Sequence, residues 1–309
     1  MSPIVPRPSL CGVVPPLVTP LTASDTLDTK GLERLVEHVV GGGVQALFLL
    51  GSTGEGPSLS YRLRRELIGL ACRHVTRRVP VLVGISDTAF EESVALGRHA
   101  AENGAAAVVA TTPYYFKPGQ ADLVSYFTTL AAALPVPLFL YNMPGFTGLV
   151  IEPSTVRRLM DVENIVGIKD SSGDMRYFGE LLDLAEGRAG WAVFMGREEL
   201  GVEALRLGAH GVVPGGANLV PRLHADAFAA VAAGDHARAD ALAGRIDEVV
   251  AAIFTLGGPG AGFIQGLKDA LSLAGLCGNL LAPPFPPLGP ADHLELRRRL
   301  TGLGLIANS

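Results

Sequence analysis

Three polar endings punctuate the apolar runs of this chain: Gly-Ser-Thr-Gly-Glu at 51–55, Tyr141 in Tyr-Asn-Met-Pro-Gly-Phe-Thr-Gly, and Lys169 in Asn-Ile-Val-Gly-Ile-Lys-Asp-Ser-Ser. Lys169 poses the sharpest question. Lysine is used only at 30, 117, 169 and 268, while arginine supplies the other cations. A lysine closing an apolar strand has either reached water or been presented to a pocket. In a pocket, desolvation disfavours the ammonium and makes the amine a nucleophile for carbonyls. Tyr141 ends the preceding apolar run. A phenol beside an amine can move protons while a carbinolamine becomes an imine; a core tyrosine with its hydroxyl at the rim fits the same position. Within residues 51–55, glycines flank two hydroxyl side chains. Successive backbone N–H groups can converge there on an anion such as a carboxylate, with Ser52 and Thr53 adding donors. An ordinary strand-to-helix turn reads the same way.

Other chemistries find no support. Neither the 51–55 loop nor Gly-Gly-Pro-Gly-Ala-Gly at 257–262 carries the Gly-Lys-Ser/Thr of a nucleotide loop. The seven histidines are dispersed without metal-ligand spacing, so no metal is expected. A Gly-x-Ser-x-Gly elbow and a dinucleotide fingerprint after the first strand are both missing. The net charge is −5, both signs are scattered, and no basic-aromatic patch exists, which argues against nucleic acid. Cys11, Cys72 and Cys277 are far apart and odd in number, as suits a reducing compartment. The N-terminal stretch MSPIVPRPSL lacks a leader's apolar core, and no apolar run approaches the roughly 20 residues of a membrane helix. A cytoplasmic protein is expected.

The elements that would position these residues alternate regularly. Short apolar runs predict strands near 11–18, 44–50, 79–85, 106–111, 136–141, 165–169, 191–195 and 210–213. Amphipathic segments such as TKGLERLVEHVV lie between them, and glycine marks many returns from helix to strand. Continuous apolar strands alternating with helices imply a parallel sheet covered on both faces. Periodicity alone also fits an open doubly wound sheet, but eight strands suggest a (β/α)₈ barrel, whose catalytic groups sit at the C-terminal strand ends. Strict alternation puts Ile165, Gly167 and Lys169 on one face and Val166 and Ile168 on the other. If Val166 and Ile168 face the helices, Lys169 points into the barrel, with room beneath it at Gly167. Beyond about residue 235 the strands stop and three helices follow. The expected organisation is a catalytic barrel over 1–235 and a three-helix appendage over 236–309.

In order along the chain, GSTGE, TTPYYFKPG, YNMPGFTG, GIKDSSGD and GAHGVVPGGANLVP together resemble the dihydrodipicolinate synthase/N-acetylneuraminate lyase family. The resemblance spans residues 10 to 235 and continues into the helical tail. It implies a (β/α)₈ barrel with three C-terminal helices and an imine between lysine and a 2-oxo acid, usually pyruvate, without metal or other cofactor. By motif, Lys169 corresponds to the imine-forming lysine and Tyr141 to the proton shuttle. Ser52 and Thr53 correspond to the carboxylate loop, and Val213 to a backbone carbonyl near the substrate. Tyr115 corresponds to a tyrosine lent to the neighbouring subunit's site, which implies a homotetramer built from dimers.

Some positions depart from the synthase pattern. Phe146 stands where synthases grip the aldehyde's carboxylate with arginine. Ser52 resembles the sialic-acid lyases, and Glu198 and Glu199 lie where those lyases read sugar hydroxyls. Gly215 replaces the lyases' serine, which argues against sialic acid itself. Arg197 and Lys117 are spare cations for a second anionic group. The reading favoured on these grounds is a class I aldolase or lyase. It cleaves, forms or dehydrates a 2-oxo acid, with a 2-keto-3-deoxy sugar acid as the substrate class. Dihydrodipicolinate synthase is the alternative. A catalytically silent barrel that senses a 2-oxo acid is the third, against which the joint presence of Lys169, Tyr141 and Tyr115 argues.

Overall fold

The computed structural model describes residues 10–260 and 262–307. Residues 1–9, where the absence of a leader was read, lie outside them. The eight strands are β1 (Gly12–Val13), β2 (Leu47–Leu49), β3 (Val81–Gly84), β4 (Ala107–Thr111), β5 (Leu138–Asn142), β6 (Ile165–Asp170), β7 (Ala192–Met195) and β8 (Gly211–Val212). They form one parallel sheet in the order β1-β8-β7-β6-β5-β4-β3-β2. A parallel bridge between Pro16 and Phe48 brings the chain after β1 against β2, and with the surrounding helices the sheet forms a (β/α)₈ barrel. β1 is shorter than the predicted 11–18 because Pro15 and Pro16 have no N–H to give a ladder. The contact with β2 survives through hydrogen bonds from Leu17 N to Phe48 O and from Phe48 N to Pro15 O, both within 3.0 Å.

Eight helices cover the strands: α1 (Thr29–Gly41), α2 (Tyr61–Val75), α3 (Phe90–Glu102), α4 (Gln120–Ala133), α5 (Pro153–Leu159), α6 (Met175–Ala185), α7 (Gly201–Arg206) and α8 (Pro221–Ala232). Their starts follow capping chemistry. Asp28 accepts from Gly31 N, Ser60 from Leu63 N, and Asp174 from Arg176 N and Tyr177 N, each satisfying donors that a helix leaves open. Returns to the sheet use glycine where φ is left-handed, as at Gly104 (+86°) and Gly208 (+101°). A hairpin of Leu21–Ala23 and Thr26–Leu27, not predicted from the sequence, precedes α1. Three further helices follow the barrel, α9 (His236–Phe254), α10 (Gly262–Leu273) and α11 (Pro290–Gly302). No helix among the described residues is long and apolar enough to cross a membrane.

Two apolar cores result. One lies between strands and helices, with Leu35, Leu63, Ile68, Phe127, Leu140, Ile168 and Phe178 deeply buried. The other fills the barrel and includes Phe48, Val109, Phe139, Tyr141, Val166, Phe194 and Val213. Phe139 and Phe194 meet edge to face at 5.9 Å, a favourable geometry for their ring quadrupoles. This floor closes the barrel beneath the C-terminal strand ends.

Candidate active site

Lys169 is buried, at 7% exposure, near the end of β6. Its inward direction does not come from the strict alternation expected. The pairing of β5 with β6 shifts register: Leu138 opposes Ile165, but Phe139 opposes Gly167, leaving Val166 as an extra residue. Val166 therefore joins the interior core, contrary to the alternation, while Ile165 and Ile168 lie in the outer core. Beyond the shift the alternation resumes and Tyr141 stands directly opposite Lys169. Gly167 does leave space, but for other groups: a Cβ there would sit 2.3 Å from Ala192 O and 2.5 Å from the Phe139 ring. The residue that makes room for the lysine stem is Gly196, where a Cβ would lie 2.7 Å from Lys169 Cε.

The amine meets two aromatic faces. Lys169 Nζ lies 4.1 Å from the centroid of the Tyr141 ring and 5.3 Å from that of Phe48, within cation–π range. The Tyr141 hydroxyl is 3.5 Å from Ser52 Oγ. Burial alone would raise the pKa of this phenol. The positive charge of Lys169, with hydrogen bonds to Ser52, Ser171 and Lys169, outweighs burial and holds it below its ordinary value. As a phenolate, a group so placed can take a proton from the ammonium and, as a phenol, give it to an oxygen. One residue further along both strands, Asn142 Nδ2 donates to Asp170 at 2.7 Å, and Asn142 Oδ1 accepts from Ile151 N at 3.0 Å. Burial raises the Asp170 carboxyl, against hydrogen bonds from Asn142 and Ser172 that lower it. This cross-link fixes the register that sets Tyr141 against Lys169.

The 51–55 loop turns tightly over the strand ends. Leu50 and Glu55 at its two ends both have left-handed φ, 58° and 56°. Gly54 and Gly56 pack their α-carbons onto backbone carbonyls, 2.7 Å from Leu17 O and 2.3 Å from Leu50 O if a Cβ were present. Thr19 Oγ1 donates to Gly54 O at 2.7 Å and holds the turn down. Ser52 thus reaches the phenol, and Thr53, buried at 8% exposure, lies on the side of the 215–216 turn.

Above Tyr141 opens a cavity of about 410 Å³. Its wall includes Ser52, Glu55, Thr111, Tyr114, Tyr141 and Phe146 from the barrel, and Gly260, Ile264 and Phe285 from the tail. Among the described residues, no lysine or arginine lines it. Lys169 and Val213 line a small apolar hollow of about 20 Å³ immediately below, which shares Phe48 and Val109 with the larger cavity. A larger depression of about 720 Å³ lies at the opposite end, against Val79–Val81 where β3 begins, away from Lys169.

The remaining sequence candidates are not gathered in that wall. Phe146 is, half exposed and stacked on Phe263 at 6.2 Å between centroids. Glu198 is not: Oε2 accepts from Gly216 N at 2.7 Å and Oε1 lies 3.0 Å from His224 Nε2, with both side chains 4% exposed. It props the turn after β8. Glu199 is turned outward and bonded to Arg197, which leaves neither free. Lys117 is exposed with its Nζ near Gly148. Tyr115 is 77% exposed beside Phe116 and far from burial in its own chain, whereas Tyr114 faces the cavity. Sequence reasoning missed Tyr114, Ser171, Gly196 and the tail residues. Their roles come from contacts across the fold that no local pattern announces. Among the described residues, no group of three or more His, Cys, Asp or Glu is placed to hold a metal ion.

Comparison with known proteins gives a consistent picture. The dihydrodipicolinate synthetase family matches residues 9–302. The 4-hydroxy-tetrahydrodipicolinate synthase of a Thermus thermophilus strain is 38% identical over 297 residues, covering 96% of this chain and 97% of its own. The solved dihydrodipicolinate synthase of Bacteroides thetaiotaomicron superposes with a TM-score of 0.92 at 43% identity, over 95% of this chain and 98% of its own. A prophage protein of the dihydrodipicolinic acid synthase family from E. coli K12, solved with pyruvate, gives 0.91 at 31% identity over 96% and 99%.

Proposed function

We propose the following function for this chain, which belongs to the dihydrodipicolinate synthetase family. It is an enzyme of the class I aldolase type, and its donor substrate is pyruvate. The Lys169 amine, its proton passed to the Tyr141 phenolate, adds to the C2 carbonyl of pyruvate. Tyr141 returns a proton to the carbinolamine oxygen, water leaves, and the imine forms. The Tyr141 phenolate then takes a C3 proton to give an enamine, whose C3 attacks the aldehyde carbon while Tyr141 returns that proton to the aldehyde oxygen; water hydrolyses the imine, which restores Lys169 and releases product. Ser52 and Thr53 hold the pyruvate carboxylate with the backbone of their turn. The observation that carries this reading is the buried Lys169 Nζ 4.1 Å over the Tyr141 ring, with Ser52 in reach of the same phenol, beneath the cavity that Tyr141 and Ser52 line.

The relatives named 4-hydroxy-tetrahydrodipicolinate synthase favour that condensation, with aspartate semialdehyde as acceptor, over the sugar-acid reading preferred from sequence. A second reading stands on one local feature. Phe146, stacked on Phe263, gives the cavity an aromatic wall without a cation, which suits an acceptor lacking a carboxylate at that point, as in a 2-keto-3-deoxy sugar acid. The exposed Tyr115–Phe116 pair supports a homotetramer of dimers in which Tyr115 reaches a neighbouring chain. The dispersed cysteines support a cytoplasmic location.

The test compares kcat/KM on one preparation for two reactions: condensation of pyruvate with aspartate semialdehyde, and pyruvate release from a panel of 2-keto-3-deoxy acids. Faster condensation supports the synthase. Faster release from any panel member establishes the second reading, and no turnover in either refutes both.

A further inference from the structure

Lys268 belongs to α10 of the helical tail, yet it is fully buried against the turn that carries Ser52 and Thr53. Its Nζ forms an ion pair with Glu55 and donates to Leu280 O at 2.7 Å. The other Glu55 oxygen accepts from Ala282 N at 2.7 Å. Both ionic side chains are at most 3% exposed, so neither is screened by water. Burial pulls the Lys268 ammonium's pKa down and the Glu55 carboxylate opposes that. A charge so deeply buried is tolerated only because its partner is fixed opposite it.

The placement of Glu55 gives this pair its meaning. Glu55 closes the 51–55 turn in the left-handed region, which side-chain-bearing residues enter only when their surroundings impose it. Its N–H donates to Ser52 O at 3.1 Å, so the backbone of Glu55 is bonded directly to the residue that reaches Tyr141. Leu50, at the other end, is left-handed too. The turn is therefore held away from its relaxed backbone shape at both ends. The strongest anchor at its C-terminal end is a cation supplied from more than two hundred residues later. Gly260, Ile264 and Phe285, in the wall of the cavity, come from the same tail.

We propose that Lys268 is a positioning residue for the carboxylate turn. Its ion pair with Glu55 holds Ser52 and Thr53 in the geometry that receives the 2-oxo acid, and the helical tail is thereby part of the site. This rests on the proposed function, in which Ser52 and Thr53 bind the carboxylate and Lys169 forms the imine.

The experiment measures borohydride trapping of pyruvate on Lys169 against pyruvate concentration. It compares the wild type, Lys268→Met, Glu55→Gln and the double variant, with thermal unfolding of each. The double variant removes both buried charges together, which relieves the unpaired charge left by either single change. The expected result is a rise of about tenfold in the half-saturating pyruvate concentration, the loss of roughly one charge-assisted hydrogen bond, with a much smaller change in the limiting rate. The rise should persist in the double variant even where its melting temperature recovers. A double variant with wild-type half-saturation overturns the proposal and leaves the pair as a brace for the tail. Absence of a Lys169 adduct in the wild type would instead refute the proposed function.

Discussion

Substituting Gly196 by alanine should slow imine formation by roughly 10- to 100-fold without unfolding the protein. Gly196 follows β7, and its φ is not left-handed, so alanine meets no backbone penalty there. The obstacle is steric. A Cβ would stand 2.0 Å from Ser171 Oγ, 2.7 Å from Lys169 Cε and 3.0 Å from Asp170 O. Ser171 can rotate away, but Lys169 is packed between the Tyr141 and Phe48 rings. Restoring ordinary contact at Cε, from 2.7 Å to 3.4 Å, displaces the stem by about 0.7 Å. Reaction at a carbonyl needs an approach of about 3–3.5 Å, and a displacement of about 1 Å can cost a factor of 10². The crowding itself should cost about 1–3 kcal/mol of stability, well short of unfolding a domain of this size. Single-turnover trapping at saturating pyruvate reads the chemical step, and a thermal scan reads stability. Adding Ser171→Ala relieves the shortest contact and should recover only part of the rate. A Gly196→Ala protein that traps pyruvate at the wild-type rate would show that the lysine is not positioned by this contact.

Tyr141 should be the first tyrosine to ionise as pH rises. Its depressed folded pKa means that the phenolate adds stability above the ordinary value of 10.0, an addition lost as pH falls through the folded value. Tyr61, Tyr114, Tyr126 and Tyr177 are shifted the other way, chiefly by burial. Tyrosinate absorbance should therefore show one early step that Tyr141→Phe removes and Lys169→Met moves above the ordinary value; an early step surviving Tyr141→Phe would contradict the assignment. Phe146→Arg should favour an acceptor bearing a carboxylate. At a half-exposed position a charge-assisted contact is worth about 1–2 kcal/mol, which raises the ratio of semialdehyde condensation to sugar-acid cleavage about tenfold; an unchanged ratio would place acceptor discrimination elsewhere. Tyr115→Phe should lower turnover with little change in melting temperature, and sedimentation should show an oligomer; a fully active monomer would rule out a shared site.

The eight strands were legible because each is a short apolar run that must be covered on both faces, and the helices because their periodicity and caps are local. Where the reading failed, the cause lay across the sheet. The register shift that turns Val166 inward is created by its pairing with β5, and no property of Ile-Val-Gly-Ile-Lys reveals it. The retreat of β1 could have been read from Pro15 and Pro16, whose missing donors shorten a ladder. Lys169, Tyr141 and Ser52 were legible as polar residues at strand ends and do converge. Glu198 was visible as an acid near such an end, but its side chain turns to Gly216 and His224, a choice made by α8 packing behind it. Tyr114 and Tyr115 are adjacent, and only the direction of the loop after β4 separates the one lining the cavity from the one facing outward. The ion pair of Glu55 with Lys268 was hidden entirely, because it joins the first third of the chain to its last fifth.

Pyruvate with borohydride, followed by peptide mass mapping, reads the identity of the nucleophile directly. A single reduced pyruvyl group should appear on Lys169, and Lys169→Met should abolish it. An adduct on Lys30, Lys117 or Lys268, or none at all, would contradict the imine mechanism.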